Sequence, residues 1–371
     1  MDVTFSEEQQ QLRSSVRDFL QDKSPEAAVR RAMATREGYD PSLWQQMGQL
    51  GLQGMAIPEK YGGTGFGYVD LGIVFEEMGR ALLSAPFFAS VALAAETLLR
   101  SSDEQAKADL LPGLASGACI GTLALLESSD TWSESGVHMT AARAGGDSWT
   151  LTGRKLHVLD GGIADLILVV ARTKAGVGVF AVSGDAPGLT RTHLETMDQT
   201  RKQAHLEFAA TPARVVGEAG GGWAAVEQAL QAAAVLLAAE QVGGASRTLE
   251  MAVDYAKLRR QFGRPIGSFQ AIKHKCADML TDTESAKSAA YYGMWALAAG
   301  DADMPVAASL AKVYCSQAYA HTAAENIQIH GGIGFTWEHP AHLYFKRAKT
   351  SELLLGTASY HRGLLAQRLG L

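Results

Sequence analysis

The residues best suited to chemistry lie in two short stretches of the C-terminal third. In the run Tyr255 to Gln270, Arg259 offers a planar donor fork that suits a pyrophosphate. Phe262, three residues on, is an aromatic that can stack on a ring. In Gln328-Ile329-His330-Gly331-Gly332, paired glycines let the backbone approach a phosphate and accept positive φ. Both stretches therefore suit a dinucleotide. Each also has a plainer reading taken alone. The first is then a solvated basic turn after a helix, with Phe262 in the core. The second is a helix C-cap with His330 filling space.

Such side chains need a framework, and composition bounds it. The chain has 371 residues, and at roughly 100–200 residues per domain that is two to three domains. Hydrophobic residues are 47% and charged residues 19%, which excludes a disordered chain. The net charge of −6 gives no basic face for nucleic acid. Cys119, Cys276 and Cys315 lie far apart, without disulfide or metal-ligand spacing, so no metal is expected and the compartment is reducing, hence cytoplasmic. Met1 to Glu8 is acidic and lacks an apolar core, unlike a signal peptide. The longest uncharged apolar stretch, Gln228 to Ala239, is too short to span a bilayer, so no membrane partner is expected.

The hydrophobic period changes twice. Residues 1–118 read as helices: Ser6 is an N-cap with Glu7 and Glu8 behind it, Leu12, Val16, Phe19 and Leu20 form a stripe, Leu43 to Leu52 is a second periodic segment, and Asp70 opens a helix through Arg80. Residues 119–221 shift to period two, with strands around Thr150 to Thr152, Asp165 to Val170 and Val177 to Val182, which predicts a small sandwich or barrel. Residues 222–371 are helical again, with three long segments joined by short turns, as in an antiparallel bundle. The class is α+β.

This order, with these motifs, resembles the acyl-CoA dehydrogenase superfamily over essentially the whole chain. The resemblance rests on Tyr255-Ala256-Lys257-Leu258-Arg259-Arg260-Gln261-Phe262-Gly263-Arg264-Pro265-Ile266-Gly267-Ser268-Phe269-Gln270, on Gln328-Ile329-His330-Gly331-Gly332-Ile333-Gly334-Phe335-Thr336, and on Ile57-Pro58-Glu59-Lys60-Tyr61-Gly62-Gly63 followed by Phe75-Glu76-Glu77-Met78-Gly79-Arg80. It implies an N-terminal helical domain, a middle β-barrel or sandwich domain and a C-terminal four-helix bundle. It implies FAD as cofactor, an acyl-CoA substrate and an electron-transfer flavoprotein as acceptor. It assigns FAD contacts, made across a subunit interface, to Arg259, Phe262, Gln270, Gln328, Gly331 and Gly332.

The departures from the family pattern are as informative. Where members commonly carry Thr-Glu-Pro-x-Ala-Gly-Ser-Asp along the flavin, this chain has Leu126-Glu127-Ser128-Ser129-Asp130. Where they carry Trp-Ile-Thr-Asn-Gly, it has His157-Val158-Leu159-Asp160-Gly161, and Leu159 cannot donate the hydrogen bond that a hydroxyl would give the flavin. The family reaction also needs a carboxylate at the substrate α-carbon. Most members place that glutamate in Tyr-Glu-Gly-Thr, which here reads Leu354-Leu355-Gly356-Thr357; a minority place it where this chain has Ala233. Neither Leu355 nor Ala233 can abstract a proton. Glu240 lies two helical turns beyond Ala233, roughly 10 Å along the helix, and Glu352 precedes Leu355 by three residues. For both, a salt bridge or cap is the competing use.

The resemblance therefore implies one subunit of a heteromeric (α2β2) acyl-CoA dehydrogenase, of the type that serves fatty-acyl or steroid side-chain thioesters, with the base on a second subunit. The alternatives are a homotetramer using Glu240, a flavin monooxygenase of the same fold, and a non-catalytic scaffold. Tyr68, Phe87 and Trp132 are candidates either to line an acyl pocket or to pack the core.

Overall fold

The computed structural model describes residues 5–145 and 148–371. The chain opens with helices α1 (Glu7–Lys23), α2 (Glu26–Ala34), α3 (Pro41–Gln49) and α4 (Tyr68–Arg80). A π-helical segment, Phe88–Ala95, runs into α5 (Glu96–Arg100), and α6 (Glu104–Ala115) follows. Then come strands β1 (Gly121–Ala124), β2 (Thr140–Gly145), β3 (Ser148–Leu159), β4 (Leu166–Thr173), β5 (Gly176–Ser183), β6 (Leu189–His193) and β7 (Gln203–Val216). The last part holds α7 (Trp223–Leu258), a two-strand hairpin of β8 (Arg260–Gln261) and β9 (Arg264–Pro265), then α8 (Gln270–Ala299), α9 (Met304–His330), α10 (Ala341–Leu353) and α11 (Ala358–Arg368). The fold is α+β, with N-terminal helices, a barrel-like middle sheet and a C-terminal helical bundle.

By its contacts the chain groups into two compact units. One comprises Met1–Arg30, Tyr68–Leu83 and Ala234–Leu371; the other comprises Arg31–Gly67 and Ser84–Ala233.

In the second unit, β4, β5, β7, β3 and β2 pair antiparallel in that order, and a parallel contact between Thr140 and Arg172 closes the ring. β1 adds parallel to β4, and β6 adds antiparallel to β7. β7 escapes a simple alternation reading for a local reason. Ala204, Leu206 and Phe208 alternate inward, but the period breaks at exposed Ala209 and Ala210, where Ala210 turns to φ 51°. β3 is bulged against β7 between Lys155 and Val158, which puts His157 on the irregular segment at φ 52°.

In the first unit, local capping sets the entry. Ser6 Oγ accepts the Gln9 N–H and Gln9 Oε1 accepts the Ser6 N–H, a reciprocal capping box. α4 begins two residues earlier than the sequence suggested and is buried nearly all round, not on one face: Val69 and every residue from Leu71 to Gly79 are covered. Two of those residues are glutamates, and burial of charge is tolerated only with partners. Arg13 and Tyr291 both donate to Glu76 at 2.9 Å, and Arg17 Nε donates to Glu77 at 2.8 Å. Burial still raises the Glu76 carboxyl above its ordinary range, with Arg13 opposing it.

α4 and α7 cross at backbone contact. A Cβ on Gly79 would overlap the Glu240 carbonyl oxygen, and a Cβ on Gly243 would overlap the Glu76 carbonyl oxygen and crowd the Arg80 N–H. Ala238 and Val242 of α7 then pack on Ala286 and Ala290 of α8 and on Ala311, Cys315 and Ala318 of α9, small residues that let three long helices approach closely. Gly243→Ala should therefore destabilise the chain by about 3 kcal/mol in chemical denaturation. A loss under about 1 kcal/mol would show that the two helices part at little cost.

Candidate functional site

Arg259 sits just past the end of α7, its N–H held by the Tyr255 carbonyl at 2.8 Å. Beyond it the β8–β9 hairpin turns through Phe262 (φ 52°) and Gly263 (φ 77°). Two positive φ values at the centre of a two-residue hairpin define a type I′ turn, where Asn-Gly or Gly-Gly is the unstrained choice. An aromatic residue there holds a left-handed conformation that costs roughly 1–2 kcal/mol. The ring is also 90% exposed, so the plainer alternative of a core Phe262 fails. Its neighbours are Phe269, edge-on at 6.0 Å, and Arg264, whose guanidinium lies 4.1 Å from the Phe269 ring centroid. Gln270 is the exposed first residue of α8.

Gln328 is exposed on the last turn of α9, and Gly331 is the C-cap residue of that helix, at φ 63° and ψ −140°. The cap reading of Gly331 therefore holds. No heavy atom lies within 4 Å of where a Cβ would stand on Gly331 or Gly332, so this face of the turn is open. Tyr255 stacks on His330 at 4.3 Å and 27°, which ties the Arg259 end of α7 to this turn. All six residues assigned to FAD are thus exposed on the first unit, with a planar cation, a ring and an open glycine turn. This donor set fits a pyrophosphate-linked dinucleotide.

The flavin-lining segments of the second unit read differently. Glu127 is committed to structure: it accepts the His138 and Met139 N–H groups, each at 3.0 Å, and pairs with Lys155 at 2.6 Å. Lys155 is fully buried, and burial pulls its ammonium down to about 8 despite that carboxylate. His157 is exposed, 3.1 Å from Gln203 Oε1 and edge-on to His205 at 5.3 Å. The Leu159 side chain is buried, and its carbonyl accepts the Thr122 hydroxyl at 2.6 Å. It offers no donor.

At the two places where the resemblance implies a base, the side chains are apolar and buried. Ala233 is wholly covered within α7. Leu355 lies in the turn between α10 and α11 at φ 63°, followed by Gly356 at φ 99°. The turn keeps a strained backbone that leucine does not favour, and a polar network holds it. Lys312 Nζ donates to Ser316 Oγ and to the Ser351 carbonyl, both at 2.9 Å, and to the Glu352 carbonyl at 3.1 Å. It so occupies the last carbonyls of α10, and burial lowers its ammonium to about 7. His361 Nε2 donates to the Leu355 carbonyl at 2.9 Å, with Ser309 Oγ 3.3 Å from its Nδ1.

Glu240 is buried, and Arg347 Nη1 donates to it at 2.8 Å while the Nη2 of the same guanidinium donates to the Leu83 carbonyl at 3.0 Å. Glu352 pairs with Lys349 at 2.7 Å. Sequence reasoning did not single out Arg347, Lys312 or His361. The available signal was a lone lysine inside the apolar run Ala307 to Val313. A cavity of about 300 Å³ in the first unit is lined in part by Arg17, Arg80 and Arg247. Each guanidinium there already has a carboxylate, Glu77 or Glu250.

Family models described as acyl-CoA dehydrogenase N-terminal, middle and C-terminal domains match residues 6–118, 126–211 and 220–370. The chain belongs to the acyl-CoA dehydrogenase family, whose cofactor is FAD. It is 38% identical over 357 residues to the acyl-CoA dehydrogenase IpdE2 of Mycobacterium tuberculosis, covering 95% of this chain and 94% of that one. Among solved structures it resembles the ChsE4-ChsE5 complex of Mycobacterium tuberculosis (TM-score 0.91, 30% identity, 100% of this chain and 99% of that one). It also resembles a variant of the Tcur3481-Tcur3483 steroid ACAD (TM-score 0.89, 32% identity, 98% of each chain).

Two expectations follow. Phe262→Asn should relieve the turn, stabilising the chain by about 1 kcal/mol in thermal denaturation, while weakening FAD retention; a variant that binds FAD as well as wild type would leave the ring without a role. His361, drawn down to about 4 chiefly by burial, with Lys312 and Arg368 adding to it, must stay neutral in the fold. A depressed histidine contributes stability that is complete above its ordinary value of about 6.5 and is lost as pH falls through the folded value. The loss should reach about 3 kcal/mol in urea titrations of wild type and be absent from His361→Gln. Parallel acid curves for the two proteins would contradict this.

Proposed function

We propose that this chain is the base-lacking subunit of a heteromeric, FAD-dependent acyl-CoA dehydrogenase. The observation that carries the reading is the pair Leu355 and Ala233, buried apolar residues where the family pattern asks for a glutamate. Desaturation of a CoA thioester removes an α-proton to a carboxylate. FAD, when bound, accepts the β-hydride. General-base help is worth typically 10²–10⁴-fold, so a chain without it depends on a second subunit.

The rival base, Glu240, is held by the Arg347 guanidinium, which donates to its Oε1 at 2.8 Å in the buried interior. An ion pair of this burial is a structural commitment, which argues against the homotetramer reading. Arg259, Phe262, Gln270, Gln328, Gly331 and Gly332 are the arms this chain would extend to an FAD lined by the second subunit. Leu159 and His157 support the same division, because this chain's own lining segment lacks the hydroxyl donor.

The relatives with two-chain and steroid names favour an α2β2 assembly acting on a bulky, steroid-type acyl-CoA, with an electron-transfer flavoprotein as acceptor. Three free cysteines are in keeping with a cytoplasmic setting.

The test is turnover with an artificial electron acceptor and a panel of CoA thioesters, for the chain alone and with a candidate partner subunit. The chain alone should be inactive, and activity should require a partner carrying the glutamate. Robust turnover by the lone chain that collapses in Glu240→Gln would overturn the proposal and name the base. Arg259→Ala should cost the assembly FAD retention, by roughly 1.5–3 kcal/mol for a bond to a charged group; unchanged flavin content would remove Arg259 from the site.

A further inference from the structure

We infer that His330 and His339 are positioning residues: as neutral imidazoles, His330 stacked on Tyr255 and His339 tilted against His330, they hold the Gly331-Gly332 turn in register with Arg259, and protonation of the pair releases it. The inference rests on the FAD assignment of these arms.

The geometry supplies both halves. His330 is the last residue of α9 and His339 stands two residues before α10, so the glycine turn lies in the segment between them. The His330 ring sits between Tyr255 at 4.3 Å and His339 at 4.3 Å. Tyr255 in turn carries Arg259 through its carbonyl, at 2.8 Å. One ring stack thus connects the cationic arm to the glycine turn.

The hydrogen bonds set the tautomer of one ring and the charge state of the other. His330 Nδ1 lies 2.8 Å from the Asn326 carbonyl, which can only accept, so that nitrogen bears a proton, and this bond opposes the lowering effect of burial on the ring. His339 Nδ1 accepts the Ala341 N–H at 3.2 Å, so it must be bare. Ala341 is the first residue of α10, and a bare nitrogen there acts as a cap, whereas a protonated one would point a second donor at the positive end of a helix. His342 Nε2 lies 3.2 Å from the Trp337 carbonyl and its ring stacks on Trp337 at 5.0 Å, closing the same segment.

The charged groups facing this cluster are Glu26 and Arg30 of α2 and Lys346 of α10; Arg30 and Lys346 lie 5.6 and 5.1 Å from the Trp337 ring centroid. Two cations and one carboxylate leave the surroundings unfavourable to added positive charge. Burial, first, lowers all three histidines from the ordinary value; Arg30 adds to it at His339 and His342 and Lys346 at His342, while Glu26 opposes it at both and the Trp337 carbonyl opposes it at His342. The direction sets the window: the stack is fully held above the ordinary histidine value of about 6.5 and is lost as pH falls below it.

The test is amide hydrogen exchange across residues 331–340, corrected for intrinsic rates, together with FAD retention by the assembled enzyme, from about pH 8 to about pH 5. Wild type should lose protection about tenfold on acidification, with FAD retention falling alongside. His330→Ala should show that loss already at pH 8. His330→Phe combined with His339→Asn keeps a ring in the stack and an acceptor for the Ala341 N–H and can take a proton at neither place, so it should retain protection and FAD across the range. Flat wild-type protection, or a curve for this double variant that falls like wild type, would overturn the inference. Should no FAD bind at any pH while protection still follows the imidazoles, the FAD assignment fails and the positioning role stands.

Discussion

The backbone contact of α4 with α7 is the constraint from which much of the first unit follows. With no side chain on Gly79 or Gly243 the helices touch, and the residues on either side have little freedom. Glu76 and Glu77 are carried inward and need Arg13, Tyr291 and Arg17. Glu240, whose carbonyl lies against Gly79, is carried inward too and needs Arg347. Once Arg347 is fixed, α10 is fixed, because the same guanidinium bonds the Leu83 carbonyl. The turn beyond α10 then has one place to go, set by Lys312 at its start and His361 at Leu355.

On the proposed function, that turn is a scaffold without its reagent. A left-handed backbone at a bulky residue is retained where surrounding contacts over-determine it, and here two donor groups, Lys312 and His361, do so through three hydrogen bonds. Leucine has no use for the conformation, whereas the family pattern places a glutamate there. Phe262 is a second strained residue, but it is exposed and presents its ring outward. One strained position thus carries a buried aliphatic side chain while the other presents an exposed ring. This contrast is what a division of labour between two subunits would leave behind.

Much of this was legible in the sequence, and unevenly. The three textures, the Ser6 cap, and β4 and β5 followed from period and capping residues, because each signal is local. The motif residues were named from the resemblance to the family, with only the Arg259 fork, the Phe262 ring and the paired glycines readable from their own chemistry. β7 was hidden by the break at Ala209 and Ala210. The burial of α4 on all sides was hidden because Glu76 and Glu77 read as a solvated face until Arg13 and Arg17, some sixty residues earlier, are seen to meet them. Glu240 shows the same limit. Spacing placed it on a helix face, but no local pattern points to Arg347, more than a hundred residues away.

The central claim is that this chain extends arms to an FAD lined by a different subunit. Counting flavins per chain by native mass spectrometry of the purified assembly tests it most directly. The account predicts a mixed assembly with half as many flavins as chains, and no flavin on this chain alone. A homomeric assembly of this chain carrying as many flavins as chains would contradict it.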